Sequence, residues 1–158
     1  MPIANYTTTV APEKSIGEIH GMLVSHGASH ILTDYKDEKP TGIAFIIATP
    51  YGEKPFRLPA NVDRVAEVLL KELQTSSYRR WDTQYQEQRK AKFKEQANRV
   101  AWRILKDWVR AQMAILETEM VTIDQVFLPY MEVGNQGKTL YEVMVDRHLQ
   151  LTQGEKGS

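Results

Sequence analysis

Cysteine is missing from all 158 residues, which removes disulfide frameworks, thiolate nucleophiles and zinc ribbons together and fits a reducing compartment. A run of eighteen or so apolar residues is missing too, as is a basic start leading into an apolar stretch. Neither a membrane span nor a secretory signal is therefore expected, and a soluble, cytoplasmic protein is. Net charge is absent, with 20 Lys and Arg against 20 Asp and Glu, so the sum points to no strongly charged partner. Internal repeats and low-complexity tracts are absent as well.

What is present suits one ordinary hydrophobic core. With 42% hydrophobic residues the chain is too apolar for disorder outside residues 152–158, which read as a disordered tail. One domain over residues 1–151 is expected, divided into a strand-helix-meander-helix part over 1–76 and a helical part over 77–151.

Asn5 to Val10 is β-branched and aromatic and reads as a strand ended by Pro12. Ser15 with Glu18 reads as a capping box opening a helix whose Ile16, Ile19, Met22 and Leu23 share a face and which Gly27 stops. Strands come next over His30 to Tyr35, Gly42 to Thr49 and Lys54 to Leu58, joined by turns at Pro40 and at Tyr51-Gly52. In the middle strand Ile43, Phe45 and Ile47 alternate with Ala44, Ile46 and Ala48, so a central strand covered on both faces is expected. Asn61 caps a second helix with a stripe of Val62, Val65, Val68, Leu69 and Leu73, expected to pack on the sheet. Tyr78 to Trp81 connects to a very long helical pattern from about Thr83 to Thr118. Two further capping boxes, Thr122 with Gln125 and Thr139 with Glu142, open short helices around Phe127 and Tyr141. The fold class is α+β: an antiparallel sheet of three to four strands covered by helices, with one long basic amphipathic helix and short C-terminal helices.

The neutral total conceals an uneven distribution. Between Arg79 and Arg110 stand ten basic residues and four acids, a net of +6, so the remainder of the chain carries −6. On a helical projection Phe93, Ala97, Val100, Ile104, Trp108, Ala111 and Ile115 form the expected buried face. On the opposite side Lys92, Arg99, Arg103, Lys106 and Arg110 fall within about 60°, a line roughly 27 Å long, with Trp102 at its flank. A solvated helix surface accounts for many such runs. Against it, Arg99 with Arg103 and Lys106 with Arg110 are like-charge pairs at i,i+4, where acidic partners would stabilise. Arginines beside Trp81 and Trp102 offer forked donors for phosphate and flat surfaces for a base. The expected ligand-binding residues are Arg57, Arg79, Arg80, Trp81, Lys92, Arg99, Trp102, Arg103, Lys106 and Arg110.

Other patterns carry less. Gly134-Asn-Gln-Gly-Lys-Thr139 resembles the end of a phosphate-cradling loop, but the position that needs the first glycine is Glu132, and Thr139 serves better as a helix cap. His20, His26 and His30 lack a ligand spacing, so no metal is expected. There is no Gly-x-Ser-x-Gly elbow, and Asp34, Asp37 and Glu38 read as turn residues, so no catalytic residues and no cofactor are assigned.

Two resemblances add to this. The order helix, three strands, helix from Ser15 to Leu73 resembles the double-stranded-RNA-binding module. That family has a lysine cluster where this second helix starts Asn61-Val-Asp-Arg64, so duplex binding does not carry over. Pro55-Phe-Arg-Leu-Pro-Ala-Asn-Val62, Arg99-Val-Ala-Trp-Arg-Ile-Leu-Lys-Asp-Trp108 and Gln125-Val-Phe-Leu-Pro-Tyr-Met131 resemble a family of small bacteriophage- and prophage-encoded proteins to which no activity is assigned. The resemblance implies a bacterial cytoplasm during infection. The expectation is a non-enzymatic phage accessory protein that binds a nucleotide-type ligand and sequesters a nucleotide signal to counter host defence. The competing expectations are a single-stranded DNA- or RNA-binding protein and a protein inhibitor of a host defence complex. A homo-oligomer paired through the long helix would enclose a pocket.

Overall fold

The computed structural model describes residues 2–76 and 83–147. The tail over 152–158, and with it the end of the expected domain, lies outside the described residues. Helix α1 (Pro12–Ser25) leads into an antiparallel meander, β1 (Ala28–Lys36), β2 (Lys39–Thr49) and β3 (Gly52–Pro59), in the order β1-β2-β3. Then come α2 (Val62–Ser76), the 35-residue α3 (Thr83–Glu117), α4 (Ile123–Phe127) and a 3-10 turn at Leu128–Tyr130. A two-stranded hairpin, β4 (Glu132–Val133) with β5 (Lys138–Thr139), precedes α5 (Leu140–Asp146). This is the expected α+β class with its long helix, and the sheet proper has three strands.

The core is built on one face of that sheet. Ile43, Phe45 and Ile47 of β2 and Phe56 and Leu58 of β3 meet Ile16, Ile19 and Leu23 of α1 and Trp102, Val109 and Met113 of α3. Burying these side chains at roughly 25 cal/mol per Å² is the main force holding the helices to the sheet. Rings dominate its centre. Phe45 stacks on Phe56 with centroids 5.5 Å apart, and Phe127 stands edge-on to Phe45 at 5.6 Å and to Trp108 at 5.6 Å.

Several local expectations hold. Gly27 takes a φ of +101°, which a glycine adopts at no steric cost, and ends α1 there. The Asn61 side chain accepts from the Arg64 N–H at 3.1 Å, capping α2. Thr139 accepts from the Glu142 N–H at 3.3 Å while the Glu142 carboxylate accepts from the Thr139 N–H at 3.3 Å. Gln125 likewise accepts from the Thr122 N–H at 2.8 Å.

Four expectations are corrected. Asn5 to Val10 is not a strand: Asn5 has a φ of +61°, and the Gln96 side chain of α3 donates to the Tyr6 and Thr8 carbonyls at 3.0 and 2.9 Å. These long-range bonds take the backbone groups a sheet would need. Ser15 is not a cap, because α1 starts at Pro12 with Ala11 as its N-cap, a position proline suits since its missing N–H would be unpaired there anyway. Ser15 is instead fully buried one turn inside. The middle strand is covered on one face only: Ala44 and Ile46 are half-buried and Ala48 exposed. Helix α2 packs against α3, leaving the helical cover of the sheet to α1 and α3.

The buried face of α3 also departs from the expected one. Ala97 and Val100 are buried as expected, but Ala111 and Ile115 are exposed, and the interior is met by Trp102, Lys106, Val109 and Met113. The helix lies against α2 on one side and against α1 and the sheet on another. Two contact stripes on a single helix cannot be resolved by a projection that assumes one.

Candidate functional site

The ten residues expected to bind a ligand fall into three groups. The first is engaged by other parts of the fold. Arg103 donates to the Glu18 carboxylate of α1 at 2.8 Å, and the Lys106 ammonium lies 2.5 Å from Asp107 and 3.9 Å from Glu18. Lys106 is only 5% exposed. Trp102 is fully buried, and its indole N–H donates to the Pro40 carbonyl at 3.1 Å, so it offers no surface to a base. Arg57 donates to Asp34 across the sheet and to Glu132 of β4 at 2.8 Å. Trp102, Arg103, Lys106 and Arg57 thus all make contacts within the fold, with Trp102 and Lys106 buried and Arg57 and Arg103 part-exposed. Two ends of a long amphipathic side chain explain the outcome for Lys106: its stem covers apolar surface while its ammonium reaches the anions at the rim.

The second group stays available. Lys92 and Arg110 are exposed, and among the described residues neither pairs with a carboxylate. Arg99 is half-buried, and its guanidinium donates twice to the Gln96 side-chain oxygen at 3.0 and 2.8 Å. That partner is neutral. Among the described residues no carboxylate pairs with Arg99, so its charge is positioned by a neutral amide. Lys92 lies two turns before Arg99 on the same side of α3, whereas Arg110 lies about 16 Å further along, beyond the sealed Lys106. The third group, Arg79, Arg80 and Trp81, lies outside the described residues.

The sequence reading did not assign cation partners, and these are Glu18, Asp34, Glu132, Asp107 and the Gln96 amide. Asp107 is adjacent to Lys106 and Gln96 is three residues before Arg99, so both were visible locally. Glu18, Asp34 and Glu132 reach their partners across 85, 23 and 75 residues, and nothing local announces them. His26 is held by the Met22 carbonyl at 2.8 Å, and among the described residues no group of three metal-ligating side chains occurs. Among the described residues, too, no helix is long and apolar enough to cross a membrane.

Asp107 also accepts from the Asn5 amide at 2.8 Å, which ties the N-terminal segment to α3. The hydrogen bond from Lys106, with smaller help from Asn5, holds its carboxyl below the usual carboxylate range despite some opposing desolvation. A depressed folded-state value means the stabilisation is complete above the unfolded value near pH 3.9 and is lost as pH falls through the folded one. Asp107→Asn is accordingly expected to lower stability at pH 7 by about 1 kcal/mol, discounted because Asp107 is half exposed. The gap between variant and wild type should narrow in urea unfolding at pH 3. A gap that stays constant with pH would show that the pair contributes no proton-linked stability.

Compared with protein-family models, with curated proteins and with solved structures, the chain matches none.

Proposed function

We propose that the protein is a non-catalytic binding protein for a phosphate-bearing, nucleotide-type ligand, and that recognition rests on the Lys92 to Arg99 stretch of α3. The observation that carries the reading is Arg99: a guanidinium oriented by a neutral amide, with Lys92 two turns away on the same face and no carboxylate cancelling either among the described residues. A fork held in place binds phosphate with less lost side-chain freedom than a floating one. The setting implied by the sequence resemblance is a bacterial cytoplasm during phage infection, where sequestering a nucleotide signal would counter host defence.

Fluorescence anisotropy with labelled ATP and with a labelled oligothymidylate, each at two salt concentrations, tests this. Lys92→Ala with Arg99→Ala should weaken binding about tenfold or more, as loss of charge-assisted bonds implies. Arg103→Ala should leave affinity unchanged and lower thermal stability instead. Tight oligothymidylate binding that falls steeply with salt would favour the single-strand reading, because several phosphates release counterions together. Binding that ignores the Lys92 and Arg99 substitutions overturns the assignment.

A further inference from the structure

The two edges of the sheet are treated differently. On the β3 side the edge is covered in part: Phe56 forms an isolated bridge with Met131, and Arg57 reaches Glu132 of the C-terminal hairpin. On the other side β1 runs for nine residues, and among the described residues no strand or bridge pairs with its outer edge. An unpaired strand of that length invites a further strand.

The backbone pattern shows which groups β1 offers. Thr41 turns its carbonyl to β3, where the Ala60 N–H donates to it at 2.9 Å, and Ile46 turns its carbonyl to β1, where the Ser29 hydroxyl donates to it at 3.4 Å. By alternation Gly42, Ala44 and Ile46 face β1, and their register partners Asp34, Leu32 and His30 face β2. Ile31 and Thr33 are left with their N–H and C=O groups on the open edge.

The side chains beside that edge are complementary to themselves. His30, Leu32 and Asp34 lie on the sheet face away from the core, and Leu32 is 60% exposed. We propose that β1 pairs antiparallel with β1 of a second copy about a two-fold axis at Leu32, joining two three-stranded sheets into one of six. In this register Ile31 exchanges backbone bonds with Thr33 of the second copy. Leu32 meets its own counterpart in a non-hydrogen-bonded pair, where Cα atoms approach to about 4.5 Å. His30 faces Asp34 of the second copy, whose carboxylate has one oxygen engaged by Arg57 and, among the described residues, no hydrogen-bond partner on the other. Centring the axis on Thr33 would set Leu32 against Asp34, and centring it on Ile31 would set Leu32 against His30, so only the Leu32 register matches both apolar and polar groups. The bridge from Phe56 to Met131 interrupts the β3 edge, which favours a two-fold pair over continued strand addition.

The absence of cysteine provides a clean test on the full chain. Sedimentation should show a species of twice the 18.1 kDa chain mass. Leu32→Glu should weaken association ~10-fold or more, through lost apolar contact and facing like charges, with the circular dichroism unchanged. Under mild oxidation Leu32→Cys should crosslink, because the paired Cα atoms sit within disulfide reach, while Tyr35→Cys, about 20 Å from its counterpart, should not. A wild-type protein that stays monomeric overturns the proposal, as does a dimer that Leu32→Glu leaves intact or a crosslink at Tyr35 in place of Leu32.

Discussion

Replacing Trp102 by Ala is expected to lower the unfolding free energy by about 3–5 kcal/mol and the melting temperature by roughly 10 °C. The indole is fully buried among α1, the sheet and α3, so truncation removes its packing and leaves a cavity in a region made of rigid elements. Trp102→Phe isolates the polar part of the effect. It keeps most of the apolar volume but strands the carbonyl of Pro40, a buried residue, without its donor at 3.1 Å, which costs about 1–3 kcal/mol. Thermal and urea unfolding of the three proteins measure both quantities. A Trp102→Ala protein as stable as wild type but poorer in nucleotide binding would reinstate Trp102 as a ligand platform.

Phe127→Ala is expected to cost a similar ~3–5 kcal/mol, for a different reason. Phe127 comes from the short α4, and its ring lies 5.6, 6.0 and 5.6 Å from those of Phe45, Phe56 and Trp108. It joins the sheet, the long helix and the C-terminal segment in one contact set, to which Tyr130 is added through Trp108 at 5.5 Å. Removing it should loosen the segment C-terminal to α4, including the bridge between Phe56 and Met131 that interrupts the β3 edge. Faster amide exchange at Met131 and along the β4–β5 hairpin, beyond that caused by Trp102→Ala, would report this. A loss under about 1 kcal/mol would mean that the C-terminal segment is held elsewhere.

The opening of the β3 edge bears on association as well. If β1 is the strand edge through which copies pair, the dimer should persist in Phe127→Ala so long as the sheet survives, whereas Leu32→Glu should weaken it without touching stability. The two variants therefore separate packing from assembly. In the same way Arg103→Ala and the paired Lys92 and Arg99 substitutions separate the cations that hold α1 to α3 from those left to meet a ligand.

Much of the architecture is written locally. Gly27, Asn61, Thr122 and Thr139 act through bonds to residues at most a few positions away, which is why helix ends could be read from the chain. Alternation in β2 and the turns at either end made the meander legible, since strand period and turn chemistry are properties of short segments. The length of α3 came from an unbroken pattern free of proline and glycine.

The chain order alone thus determined the first helix, the meander, the long helix and the short C-terminal helices in their order, and the concentration of positive charge on one helix, but neither the C-terminal hairpin nor the non-strand course of Asn5 to Val10. Tertiary structure decided what that charge does. Periodicity places side chains around a helix axis but carries no information about how many neighbours the helix will have. With α2 on one side of α3 and α1 with the sheet on another, the flank bearing Trp102 and Lys106 turned inward. Glu18, placed 85 residues before Arg103, then met cations that looked free, because an ion pair is formed by proximity in space and proximity is produced only when the core closes.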